Sequence, residues 1–256
     1  MEFFDSHTHL TDEIYDKSVE QIVNDAKLNN VNYIVDIGYN ESTSSAAVKN
    51  AEMFEGVYAT VGLHPENVDE YTGNFDYIYE LAKSSKVVAI GEIGLDYHYD
   101  NSDEHKAKQK ELFIKQIEIA NELDLPVVIH SRDADMDMLE ILKTHTIKNN
   151  CVMHCFSSSV EVLKEVLKLG CYVSIAGPVT FKNARSLIDV AKLIPEDKLL
   201  IETDAPYLAP EPFRGKKNSS KYLKYVAEKI SSILEISVEN VSLETTKNAC
   251  SVFDLD

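Results

Sequence analysis

Phe3-Phe4-Asp5-Ser6-His7-Thr8-His9 is a short apolar run that leads directly into two histidines one residue apart. Read as a β-strand, alternate side chains share a face, so His7 and His9 project to the same side. Two neutral imidazoles on one face form half of a metal site. A lone His-x-His is a weak signal, and its meaning comes from runs of the same kind further along. Apolar, β-rich runs recur at 33–37, 57–61, 87–90, 127–129, 151–153, 171–175 and 199–201. Between them the apolar period changes from two to 3.6. Leu112, Phe113, Ile117, Ala120 and Leu123 share one helical face, with Lys and Glu opposite. Val160, Leu163, Val166 and Leu167 repeat the pattern after the cap candidates Ser157-Ser158-Ser159 and before Gly170. Leu187, Val190, Ala191 and Ile194 do so before Pro195. Strand–helix alternation implies parallel strands joined by crossovers. With the first run there are eight such strands, which predicts an α/β chain folded as one (β/α)8 barrel of the TIM type over residues 1–256. An open doubly wound sheet is the rival. Helical stretches at 221–234 and 238–252 would complete the outer ring.

Composition sets bounds on function. A hydrophobic content of 44% over 256 residues allows a sizeable core. No apolar run approaches the ~20 residues needed to span a bilayer, and no basic segment followed by a long apolar stretch marks a secretory signal. The four cysteines, Cys151, Cys155, Cys171 and Cys250, include no C-x-x-C pair. They are expected to be reduced thiols in a cytoplasmic protein. The net charge of −18 repels a polyanion at long range. Any phosphate substrate must therefore be held by local positive charge, from metal ions or a small basic patch. The densest such patch is Arg214-Gly215-Lys216-Lys217 with Lys221 and Lys224, which taken alone reads as a solvated loop and helix start.

The ends of the apolar runs carry the chemistry. They read His7-Thr8-His9, Gly62-Leu63-His64-Pro65-Glu66, Gly91-Glu92-Ile93-Gly94-Leu95-Asp96, His130-Ser131-Arg132-Asp133, His154-Cys155-Phe156-Ser157 and Glu202-Thr203-Asp204-Ala205-Pro206. In a parallel barrel these ends open on one face, where such enzymes place their active sites. Singly, each has a structural reading: a histidine at a strand end is commonly just hydrogen-bonded, and Glu92 or Asp204 could cap the next helix. Together they follow the strand period, which independent accidents would not. His105 and His145 read as surface residues. Imidazoles and carboxylates without thiolate suit Zn2+, Mn2+, Fe2+ or Mg2+. Six ligands with one bridging carboxylate suit a pair of ions, which would leave a locally positive floor inside an acidic shell.

These motifs together resemble the TatD family of metal-dependent deoxyribonucleases, a branch of the amidohydrolase-like barrels, over nearly the whole chain. The resemblance implies that His7, His9 and Asp204 hold one divalent ion. It implies that Glu92 bridges to a second, held also by His130 and His154, and that His64 faces the substrate phosphate. The ions would be Mg2+, Mn2+ or Zn2+. After the last strand the family motif reads Arg-Gly-x-x-Asn, often followed within two residues by Pro. Here Arg214-Gly215-Lys216-Lys217-Asn218-Ser219-Ser220 lacks that Pro, which bears on the loop's shape and its grip on substrate.

The function expected on this basis is hydrolysis of a DNA phosphodiester by a metal-activated water, with Asp204, Glu92 and His64 as catalytic residues. Arg132 and Arg214 would hold a neighbouring phosphate. With no long aromatic and basic platform, a strand end or single strand is the expected DNA substrate, and a monomer without membrane association is the expected state. The enzymatic alternative is an amidohydrolase-type esterase or amidase, for example a D-aminoacyl-tRNA deacylase. The non-enzymatic alternative is a metal-bound scaffold without turnover.

Overall fold

β-branched residues concentrate in the apolar runs, and Ser or Asn precedes most of the longer helices, so strands and helices are separately specified along the chain. In the computed structural model, which describes residues 1–255, β1 (Phe3–Thr8) is followed by α1 (Val19–Lys27), β2 (Val31–Ile37), α2 (Glu41–Met53) and β3 (Val57–Val61). Then come α3 (Asp76–Leu81), β4 (Val87–Asp96), α4 (Asp103–Leu123), β5 (Val127–Arg132), α5 (Asp135–Thr144) and β6 (Cys151–Met153). The chain finishes through α6 (Val160–Lys168), β7 (Tyr172–Ile175), α7 (Arg185–Ala191), β8 (Leu199–Ile201), α8 (Leu223–Leu234) and α9 (Val238–Val252). Ser18 and Gln21 form a reciprocal capping box on α1, Asn40 and Thr43 form one on α2, and Ser159 caps α6. Neither Glu92 nor Asp204 caps a helix: Ser102 caps α4, and Tyr222 precedes α8.

All neighbouring strands pair in parallel, in the order β1 to β8. The seam between last and first is narrow. Thr8 and Ala205 form a single parallel bridge, flanked by hydrogen bonds from His9 N to Ala205 O (2.8 Å) and from Asp204 N to His7 O (2.9 Å). The result is a nearly closed (β/α)8 barrel, and the open doubly wound alternative is excluded. Several strands run further than their apolar cores suggest. β4 continues through Asp96 and β5 through Arg132, so Glu92, His130 and Arg132 lie within strands, not beyond them. His9 lies just past the end of β1.

Two apolar layers hold the barrel. Outward-facing strand residues such as Ile34, Val61, Ile90 and Ile129 pack with the helices in one continuous cluster. A second cluster joins Phe4, Val35, Val88, Val128, Val152 and Leu200 with Ala249, Val252 and Phe253 of the α9 end. Residues from strands on opposite sides can meet only in the interior, so this cluster fills the barrel, and the end of α9 closes its N-terminal mouth.

The cysteine expectation requires a correction. Cys151 and Cys171 are joined by a disulfide, with Cα atoms 4.8 Å apart. Val152 pairs with Tyr172 in the ladder, so the preceding residues of the two neighbouring strands also face one another. A separation of 20 residues in sequence conceals that adjacency. Cys155 and Cys250 are free thiols.

Candidate metal centre

The barrel seam creates the first half of the site. Asp5, fully buried, accepts hydrogen bonds from Thr203 N (2.9 Å) and Thr203 Oγ1 (2.6 Å), which fixes the exit of β8 against β1. Asp204 follows in the left-handed region at φ 53°, a conformation that Asp tolerates better than most residues. Its Oδ1 then lies 3.7 Å from His7 Nε2 and 3.5 Å from His9 Nε2. A ligand atom from each of these three buried residues lies within 4.8 Å of the others. The pairing of β1 with β2 shifts register between Asp5 and Thr8, so strand alternation only approximates the relation of His7 to His9. Their shared aim at Asp204 is a property of the seam.

β4 and β5 build the second half. Gly94 has φ +144°, and a Cβ there would lie 2.0 Å from the carbonyl oxygen of His130, so only glycine lets the two strands meet at that level. His130 Nδ1 stands 2.8 Å from Glu92 Oε1, and its Nε2 stands 2.9 Å from Asp96 Oδ2. His154, at the exit of β6, places Nε2 2.7 Å from the same Glu92 Oε1 and 3.1 Å from His130 Nδ1. The other oxygen of Glu92 faces the seam, 3.3 Å from His7 Nε2 and 3.8 Å from His9 Nε2. One carboxylate thus presents Oε2 to one pair of imidazoles and Oε1 to another.

His64 has a different part. Its Nδ1 accepts the backbone N–H of Glu66 (3.1 Å), so the neutral ring carries its proton on Nε2, 3.4 Å from Glu92 Oε1. A protonated Nε2 is a donor, not a ligand. Burial pushes the His64 and His7 imidazoles below their ordinary range and keeps both neutral. Burial would also lower His9, His130 and His154, but carboxylates outweigh it: Asp204 and Glu92 for His9, Asp96 and Glu92 for His130, Glu92 and Glu202 for His154. Burial alone would raise Glu92, yet the imidazoles of His154, His64 and His7 and the bond from His130 hold it well below the usual carboxylate range.

This donor set fits divalent ions. His7 Nε2, which faces Glu92 and Asp204, is buried without a hydrogen-bond partner, an arrangement that costs about 1–3 kcal/mol unless an ion completes it. Nδ1 of His7 and Nδ1 of His9 are buried without a partner as well. His7, His9 and Asp204 could hold one ion, and Glu92, His130 and His154 a second, with Glu92 between them. Imidazole and carboxylate donors suit Zn2+, Mn2+ or Mg2+.

The cluster lies in a cavity of about 760 Å³ whose walls include Tyr39, His64, Tyr99, Arg132, Cys155 and Tyr207. Arg132 therefore lines the site, with its guanidinium over the Tyr99 ring at 5.3 Å. Arg214 is not among the lining residues and stacks on Phe181 at 4.2 Å. Within the basic patch, Lys217 pairs with Asp16 and Lys221 with Asp25. The loop without its Pro is fixed by buried Asn218, whose Nδ2 donates to Thr203 O (2.8 Å) and Tyr207 O (2.7 Å). The other histidines stay outside: His98 bonds Asp133, His105 lies near Asp100, and His145 bonds Thr144. His105 and His145 are partly exposed beside these local partners, away from the cluster.

Asp96, Glu202 and Asp5 receive no role from sequence reasoning, although they sit in the same motifs. Their types and places along the strands are visible in the sequence, but that Asp96 reaches His130, Glu202 reaches His154 and Asp5 holds Thr203 is a tertiary fact.

The sequence profile of the TatD related DNase family matches residues 4–254. The chain belongs to this family. Among TatD relatives it is 45% identical, over 99% of both chains, to the uncharacterized metal-dependent hydrolase YabD of Bacillus subtilis (strain 168). It is 37% identical to the uncharacterized metal-dependent hydrolase YcfH of Escherichia coli (strain K12), covering 98% of this chain and 96% of that one. The crystal structure of YJJV, a TatD homologue from Escherichia coli K12, superposes with a TM-score of 0.90 at 27% identity, over 99% of this chain and 98% of that one. The chain is accordingly a metal-dependent hydrolase of the TatD family. No helix among the described residues is long and apolar enough to cross a membrane.

Proposed function

We propose that the protein hydrolyses phosphodiester bonds in DNA, using two divalent ions held by His7, His9, Glu92, His130, His154 and Asp204. The observation that carries this reading is Glu92, whose two oxygens face separate sets of imidazoles at the floor of one cavity. When bound, a pair of divalent ions would draw charge from the phosphate oxygens and make water a nucleophile near neutral pH. The residues supply the rest. Asp204, ionised and at the edge of the cluster, orients the attacking water and accepts its proton. His64 donates its Nε2 proton in a hydrogen bond to a phosphate oxygen as negative charge develops there. Arg132 at the wall takes an adjacent phosphate, the bidentate contact that a guanidinium forms best. With Arg214 outside the cavity, and Lys217 and Lys221 paired to aspartates, Arg132 supplies the cationic grip beyond the ions. That grip suits a short strand end better than a long duplex.

The thinness of this grip is also what favours a second reading, hydrolysis of an ester or amide, an aminoacyl-tRNA ester included, by the same ions. End-labelled single- and double-stranded DNA, offered with Mg2+, Mn2+ or Zn2+ beside a small neutral ester, separates the two. Cleavage of DNA by the parent and not by Glu92→Ala supports the nuclease. Turnover of the ester with intact DNA supports the second reading.

A further inference from the structure

Glu202 is fully buried at the exit of β8, and the reaction as described gives it no task. Its Oε1 accepts from Cys155 N at 2.8 Å and lies 3.2 Å from His154 Nδ1. Its Oε2 is buried and has no partner. Beside it lies His7, stacked on His154 with ring centroids 3.9 Å apart, whose Nδ1 is also buried without a partner. His7, His154 and Glu202 each offer a ligand atom within 4.8 Å of the others. An imidazole that ligates through Nε2 in its neutral form carries its proton on Nδ1. His7, once ligated through Nε2, therefore presents a buried Nδ1–H that needs an acceptor. Oε2 of Glu202 is the one partnerless carboxylate oxygen among the buried side-chain atoms of the described residues.

We infer that Glu202 is a positioning residue shared by the two metal positions, Oε1 orienting His154 and Oε2 orienting His7, each through Nδ1–H. The inference rests on the two-ion reading above. Asp96 is the contrasting case: of the clustered imidazoles it reaches only His130, through Nε2, while its other oxygen accepts His98 N. Carboxylates behind ligating histidines typically contribute 10–100-fold to metal affinity. One carboxylate behind a histidine of each ion makes the two ions interdependent in a way that Asp96 does not.

The test is calorimetric titration of metal-stripped protein with Zn2+ or Mn2+, with bound metal counted by elemental analysis. The parent should take up two ions. Glu202→Gln keeps an oxygen for Cys155 N–H and His154 but sets an amide NH2 against His7, and should weaken both binding steps by roughly 10–100-fold. Asp96→Asn should weaken one step only. Glu202→Gln acting on one step, as Asp96→Asn does, or on neither, would overturn the inference and leave the two-ion reading standing. Uptake of a third ion by the parent would also overturn it, since the trio would then be a site of its own. No uptake by the parent would remove the two-ion reading itself. If metal-free Glu202→Gln fails to fold, 15N-histidine NMR of the metal-loaded parent decides. His7 and His154 must then both carry hydrogen-bonded Nδ1 protons, and a His7 without one refutes the role of Oε2.

Discussion

At the scale of single residues, the site is a set of buried donors held apart by specific neighbours, and its predictions concern individual side chains. Glu92→Ala removes the one carboxylate that both sets of imidazoles face. Hydrolysis should fall by far more than the roughly 10–100-fold typical of residues behind the ligands, while far-ultraviolet circular dichroism stays that of the parent. DNA cleavage by that variant at the parent rate would refute the two-ion reading. Asp36 offers a pH effect. It is fully buried, accepts from Leu10 N and Asn50 Nδ2, and burial raises its carboxyl to about 6 from an ordinary 3.8. The folded protein therefore keeps a proton that the unfolded chain loses between those values. Stability contributed at low pH is lost as pH rises through that window, by up to roughly 3 kcal/mol. Urea denaturation of metal-stripped protein should show the parent losing stability from pH 4.5 to 7 relative to Asp36→Asn. Parallel profiles for the two proteins would show that Asp36 is ionised in the fold.

At the scale of elements, what matters is which end of each strand carries which task. Apolar residues early in β1, β4, β5, β6 and β8 meet the end of α9, and polar residues late in the strands or just past them form the site. Phe253, 2% exposed, lies 6.1 Å from Phe4 in stacked orientation. Phe253→Ala should cost about 3–5 kcal/mol of stability, the usual range for a buried aromatic. Because α9 closes the opposite mouth, metal affinity of the folded variant should be unchanged. Urea midpoints together with a metal titration check both halves, and a weakened metal site in the folded variant would show that the two ends of the barrel are coupled. Element boundaries also show where sequence periodicity falls short. The apolar run 87–90 marks only the start of β4, because Glu92 and Asp96 are polar residues that the strand carries to the site.

At the scale of the whole molecule, a net charge of −18 surrounds a cavity whose floor would gain positive charge on binding divalent ions. Long-range repulsion and short-range attraction have different ranges, and salt separates them, because the Debye length falls to about 10 Å at 0.1 M. For a single-stranded DNA substrate, kcat/KM should rise as salt increases from about 20 to about 100 mM, since screening acts first on the outer repulsion. A small neutral ester should show no such rise. A monotonic fall for DNA would mean that the basic residues around Lys216, and not the acidic surface, govern the encounter.

Much of this protein was legible in its sequence because strand and helix periods, and residue type at strand ends, are local quantities. The eight-strand alternation and the placement of His7, His64, Glu92, His130, His154 and Asp204 near strand exits required only the order of residues. The pairings required the fold. Ring closure rests on the bridge between Thr8 and Ala205 with its flanking hydrogen bonds and on Asp5 holding Thr203, residues far apart in sequence, and that seam is what sets Asp204 beside His7 and His9. The disulfide between Cys151 and Cys171, the removal of Arg214 to Phe181, and the neutralisation of Lys217 and Lys221 are likewise contacts between distant segments. The sequence by itself determined which imidazoles and carboxylates stand late in the strands or just past them, because a strand's hydrophobic pattern ends where its polar residues begin. Only the tertiary structure decided which donors share a neighbour and which carboxylate stands behind each imidazole, because hydrogen bonds and ligand geometry depend on distances that closing the barrel creates.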